Sequence, residues 1–181
     1  MLKIILAIIA VAIAAVLVYA ATRPDTFRVE RSVVITAPPD AIYPHLVDFR
    51  QWEAWSPWEK LDPAIRRDYS GAASGVGARY AWQGNDQVGQ GRMSIVEAQP
   101  ASRLLIDIEF TKPFAARNTV EFTLEPVAGG TRLTQAMYGP SPFISQLMGL
   151  FFDMDTMIGE KYEEGFAALK AQVEGGAPIA H

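Results

Sequence analysis

From residue 141 to 174, apolar side chains recur at helical spacing: Ile144, Leu147, Phe151, Met154, Ile158, Tyr162, Phe166, Leu169 and Val173. Steps of three and four form one stripe, which predicts a long helix over 141–174. Its first half is apolar nearly all round, with Phe143, Met148, Leu150, Phe152 and Met157 beside the stripe. Its second half carries Glu160, Lys161, Glu163, Glu164 and Lys170 on the outer face. Asp153 and Asp155 stand where carboxylates suit a helix start. Gly159 and Gly165 lower helix propensity and mark a kink or a close backbone approach.

Upstream, the period switches to two. Residues 27–37 read as a strand with Phe27, Val29, Val33 and Ile35 on one face, interrupted by Arg31. Pro38-Pro39 ends it and opens one or two short helices over 38–58; Pro44 kinks the first and Pro57 stops the second. From 65 to 138 six further strands alternate, most cleanly in 103–110 (Leu104, Ile106, Ile108, Phe110) and 118–126 (Val120, Phe122, Leu124). Gly129-Gly130 supplies a two-residue hairpin turn. Short connections predict an antiparallel meander with one buried face and one wet face. Only the 141–174 helix is long enough to cover that face. The predicted fold class is α+β: a curved antiparallel sheet of about six or seven strands around a long C-terminal helix.

Residues 4–21 contain no charge. At helical rise they reach about 27 Å, close to the hydrocarbon thickness of a bilayer. This predicts one N-terminal transmembrane helix over 1–21, read as an uncleaved anchor; Val18-Tyr19-Ala20 is the passable cleavage site that a signal peptide requires. Flanking charges, Lys3 before and Arg23, Arg28 and Arg31 after, leave the side of the membrane open. A short linker, 22–26, precedes the domain at 27–174, and 175–181 is expected to be a disordered tail. The chain carries 16 Lys and Arg against 20 Asp and Glu. It has no basic run, which argues against nucleic acid as a partner. It has no cysteine, so disulfides, thiolate nucleophiles and thiolate-ligated metals are excluded.

Three features together resemble the START-like superfamily of helix-grip domains, also called SRPBCC or the polyketide cyclase/dehydrase and lipid-transport group. They are the strand at 27–37 running into Ala37-Pro38-Pro39, the Phe49…Trp52…Trp55-Ser56-Pro57-Trp58 segment, and the final helix from Met157-Ile158-Gly159 to Gly165-Phe166-Ala167-Ala168-Leu169-Lys170. The resemblance spans about residues 27–174. It implies a cavity for an apolar ligand between sheet and helix, and it leaves the activity open.

Candidate ligand contacts follow. Trp52, Trp55, Trp58, Tyr80 and Trp82 offer flat apolar faces and N–H groups that orient a guest; sealing the short helices to the sheet is their plainer role. Met93, Met137 and Met154 would give an adaptable wall, and Phe151 and Ile158 lie on the helix stripe. Among the polar residues that alternation turns inward (Arg31, Glu97, Asn118 and Gln135), Gln135 between Leu133 and Met137 has the sharpest claim to orient a ligand. No catalytic constellation is visible: His45 lacks a positioned partner, and Asp107 and Glu109 face outward. No metal-ligand spacing and no cofactor motif occur. The expected function is a membrane-tethered binding domain for a small hydrophobic or lipid-like ligand. The alternatives are a cyclase or dehydratase using the same cavity, with His45, Tyr80 or Glu97 as acid or base, and a protein-interaction module.

Overall fold

The alternating middle of the chain forms one seven-stranded antiparallel sheet in the computed structural model, which describes residues 1–175. The expected disordered tail, beyond Gly175, lies outside the described residues. Helix α1 (Leu2–Ala21) comes first, exposed along its length except at Ala20; it is long and apolar enough to cross a membrane. Strand β1 (Thr26–Ile35) leads to α2 (Pro39–Val47), which contains Pro44. A single 3-10 turn, Phe49–Gln51, then runs into the short α3 (Trp52–Trp55), and a second turn follows at Pro57–Lys60. Strands β2 (Arg66–Gly71), β3 (Ala78–Gln83), β4 (Gln90–Gln99), β5 (Arg103–Lys112), β6 (Ala116–Val127) and β7 (Gly130–Pro140) form the meander. The spatial order is β1-β7-β6-β5-β4-β3-β2. The helical crossover therefore carries the chain from one sheet edge to the other.

Alternation sorts the faces as expected. Val29, Ile35, Leu104, Ile106, Val120, Phe122, Leu124 and Leu133 point inward and meet Ile42, Leu46, Trp55, Phe166 and Leu169 in one core cluster. Gly130 sits where β7 passes β1, and a side chain there would collide with the Ile35 carbonyl. The hairpin turn falls on Ala128-Gly129, one residue earlier than the sequence suggests, because Val127 pairs with Gly130. Gly129 takes the positive φ of 88°.

The predicted 141–174 helix is broken. Helix α4 (Phe143–Met148) ends at Gly149, and α5 (Met154–Glu174) starts afresh. Asp153 leaves helical geometry (φ −83°, ψ 87°) and its carboxylate accepts the Thr156 N–H at 3.1 Å. A capped restart thus replaces a continuous rod. The stripe packs only from Ile158 onward, while Phe151 is 73% exposed.

Helix α5 is fastened to β1 at both ends. Near its start, the Arg31 guanidinium pairs with Asp155 at 2.8 Å and Glu163 at 3.3 Å. Arg31 lies across Gly159, and any Cβ there would strike the guanidinium. The close approach read from Gly159 therefore makes room for a charged clasp. At the far end Lys170 donates to the Val34 carbonyl at 2.9 Å, and Glu174 accepts the Thr36 N–H at 2.7 Å. Gly165 brings α5 against Pro57 and the Trp55 ring.

Candidate functional site

The inner face of the sheet, the 52–58 segment, α4 and α5 surround a cavity of about 1330 Å³. Ten of the eleven ligand-contact candidates line it: Trp52, Trp58, Tyr80, Trp82, Met93, Gln135, Met137, Phe151, Met154 and Ile158. Trp55 does not. It is 2% exposed and packs edge-on against Phe122 at 6.3 Å between ring centroids. The α3 turn aims it into the core rather than at the cavity, so its role is packing.

The indole N–H groups are mostly unavailable to a guest. Trp52 donates to the Leu46 carbonyl, Trp55 to that of His45 and Trp82 to that of Val88, each at 3.0 Å. These bonds pin the rings by satisfying a buried donor locally. The cavity therefore meets Trp52 and Trp82 as fixed apolar walls. Tyr80 stacks between Tyr69 (5.1 Å) and Trp82 (5.9 Å).

The three acid–base candidates are not poised for proton transfer. The Tyr80 hydroxyl donates to Glu59 at 2.6 Å, and Glu59 in turn pairs with Arg67 at 2.7 Å. Burial, reinforced by the Glu59 carboxylate, holds the Tyr80 phenol protonated far above its ordinary range. Glu97 is not inward. A bulge between Ile95 and Glu97 resets the alternation of β4, and Glu97 pairs with Arg103 at 3.0 Å.

His45 is buried in α2 but does not line the cavity, and its Nδ1 has no partner. Desolvation lowers its pKa below the ordinary 6.5. The unfolded chain then binds a proton that the folded chain refuses, in the window from 6.5 down to the folded value. Stability is fully retained above that window and falls as pH drops through it. Denaturant midpoints at about pH 7.5 and 5.5 should therefore differ, and the difference should shrink in His45→Gln. A pH dependence unchanged by that substitution would remove His45 as its source.

Several lining residues had no place among the candidates. Ile108, Phe110 and Val120 line the cavity from the alternating inner face. Ser56 and Tyr162 were visible only as members of the tryptophan segment and the helix stripe. Asn118, expected inward, does line the cavity, with its Oδ1 buried, without a partner among the described residues and packed over Gly139. Among the described residues, no group of three or more His, Asp or Glu side chains comes together as a metal site. Arg31 lies on the inward face of β1, as alternation predicts, and is paired there with Asp155 and Glu163 of α5.

The profile of the polyketide cyclase / dehydrase and lipid transport family matches residues 26–174. No curated protein matches the sequence. Among solved structures, protein MLL2253 from Mesorhizobium loti shares 22% identity, over 85% of this chain and 99% of that one, with a TM-score of 0.59. The di-domain ARO/CYC StfQ from the steffimycin biosynthetic pathway shares 13%, over 85% of this chain and 52% of that one, with a TM-score of 0.62. The Aha1 dimer from Colwellia psychrerythraea shares 18%, over 84% and 99%, with a TM-score of 0.57. At these identities the likeness concerns the fold alone. With the match spanning the sheet and both ends of α5, the chain belongs to the polyketide cyclase/dehydrase and lipid transport family and has its helix-grip fold.

Proposed function

We propose that this protein is a membrane-tethered binding domain that holds a small hydrophobic or lipid-like molecule between its sheet and α5. The cavity is the observation that carries the reading. Its surface is mainly apolar, with Trp, Tyr, Phe, Met and Ile side chains prominent in it. Burying 300 Å² of an apolar guest there contributes about 7.5 kcal/mol before the costs of association.

The tether draws support from α1 and from what lies beside it. Twenty residues at helical rise reach about 30 Å. Helix α4 packs against α1, and the Gln146 amide donates to the Arg23 and Pro24 carbonyls at 3.3 and 3.1 Å. Around the cavity mouth Phe114, Phe143, Ile144, Met148, Phe151 and Phe152 are exposed. An exposed apolar rim next to an apolar helix suits the acyl boundary of a bilayer. Arg23 and Lys112 stand at the same rim, where anionic headgroups would meet them. A mouth held at the membrane would draw its guest from a concentrated lipid phase.

The test is extraction. Full-length protein is purified in mild detergent, denatured, extracted with solvent, and the extract analysed by mass spectrometry. A hydrophobic compound enriched over an unrelated single-span protein prepared in parallel is the expected result. Protein that releases nothing and takes up no hydrophobic fluorophore would overturn the proposal.

A further inference from the structure

The cavity has two chemically different ends. The chain ends near α4 bring Arg23 and Lys112 to the mouth, while Arg28 and Arg117 are paired with Glu30 and Glu109. Gln135 lies five residues along β7 from Pro140 at the rim, about 17 Å at strand rise. It is 5% exposed and lines the cavity, and its side-chain amide makes no hydrogen bond among the described residues. Burying an amide without a partner is costly.

Two more polar groups share this condition. Ser56 and Tyr162, each 3% exposed, line the cavity, and their hydroxyls also make no hydrogen bond among the described residues. None of the three has its polar atoms among those both sealed and unpaired, which are His45 Nδ1, Asn118 Oδ1 and Gln172 Oε1. They come from three different walls. Gln135 pairs across the sheet with Phe122, and Phe122 packs on Trp52 and Trp55, next to Ser56. Trp58 meets Tyr162 edge-on at 5.9 Å. Aromatic contacts on either side of Ser56 thus join the corner segment to the sheet, through Trp52 and Trp55, and to α5, through Trp58.

We infer that this inner end is a hydrogen-bonding station for a neutral oxygen function, a hydroxyl or carbonyl, carried on the leading end of an apolar skeleton. Gln135 offers both a donor and an acceptor, and the Ser56 and Tyr162 hydroxyls do the same. Burial keeps the Tyr162 phenol protonated, so it remains a donor. A carboxylate is disfavoured there. The cations that face it are already matched: Arg31, opposite Gln135 across β1 and β7, is held by Asp155 and Glu163, and Arg67 is held by Glu59, which also accepts from Tyr80. A leading carboxylate would lose its hydration without gaining a counter-ion. A plain hydrocarbon would leave three polar groups unpaired. The ligand class is therefore an oxygenated hydrophobe that enters polar end first.

This inference rests on the binding reading above, and the test separates the two. Full-length protein in detergent is titrated with three probes of one shape: pyrene, 1-hydroxypyrene and pyrene-1-carboxylate. Affinity is read from energy transfer out of the cavity tryptophans. Each probe's partition into protein-free detergent is measured, and its affinity is corrected for it. In wild type, 1-hydroxypyrene should bind about tenfold more tightly than pyrene, as one satisfied buried hydrogen bond would give. Pyrene-1-carboxylate should bind more weakly than either. Gln135→Leu should erase most of the preference for 1-hydroxypyrene while pyrene affinity holds or rises. Tyr162→Phe, a milder change, should reduce the same preference and guards against misfolding of the first variant. Equal binding of pyrene and 1-hydroxypyrene to wild type would overturn the station alone. So would a preference that survives both substitutions together. Failure of all three probes to bind overturns the station and the binding function with it.

Discussion

Trp55→Ala is expected to destabilise the domain by about 3–5 kcal/mol, the usual cost of emptying a large aromatic site in a packed core. Trp55 is among the largest fully buried side chains. Phe122 and Trp52 pack against it, Gly165 passes over its ring, and its N–H holds the His45 carbonyl. Removing it opens a void beneath α5 and leaves that carbonyl without its donor. Urea denaturation of the full chain in detergent measures the effect. Trp58→Ala is the control. Trp58 is only partly buried and lines the cavity, so its loss should cost less stability and more affinity for a hydrophobic probe. If the two variants lose equal stability, the division between core and cavity tryptophans is wrong.

Filling the cavity should separate binding from folding. Met93 on β4 and Met137 on β7 both line the void. The double variant Met93→Trp/Met137→Trp would place two indoles in it. Denying a guest about 100 Å² of apolar contact costs about 2.5 kcal/mol, or roughly 70-fold in affinity. The denaturation midpoint should fall less than in Trp55→Ala, because much of each added ring enters the void although both methionines also pack in the core. Unchanged probe affinity in a folded double variant would place the binding site elsewhere.

These two predictions also show what the sequence makes legible. Period-two alternation was enough to read the sheet, since one face had to be buried and the connections were short. Met93, Gln135 and Met137 could be placed on the inner face by counting alone. Trp55 could not. In a four-residue helix, one position decides whether a ring meets the core or the cavity, and no stripe is long enough to reveal it. Glu97 misled for a related reason: the bulge shifts the alternation by one, and nothing in the local composition announces it. The broken terminal helix has another cause. Apolar residues at helical spacing promise a helix only where a partner surface exists, and residues 143–153 have no sheet beneath them. Their greasy character belongs to exposure at the rim. Asp153, noticed as a good place to start a helix, was the sign that a second one begins there. Tyr162 and Ser56 were passed over because a polar atom at the end of a buried side chain shows its lack of a partner only in three dimensions.

The double fastening of α5 to β1 has a consequence for kinetics. A helix riveted at Asp155 and Glu163 on one side, and at Lys170 and Glu174 on the other, does not swing away as a flap without breaking both sets of bonds. Residues 143–153 carry no such rivets to the sheet. The gateway for any traveller into the interior is therefore this loose collar. On the binding reading, the speed of passage should follow the opening of this collar rather than the hold on the long helix.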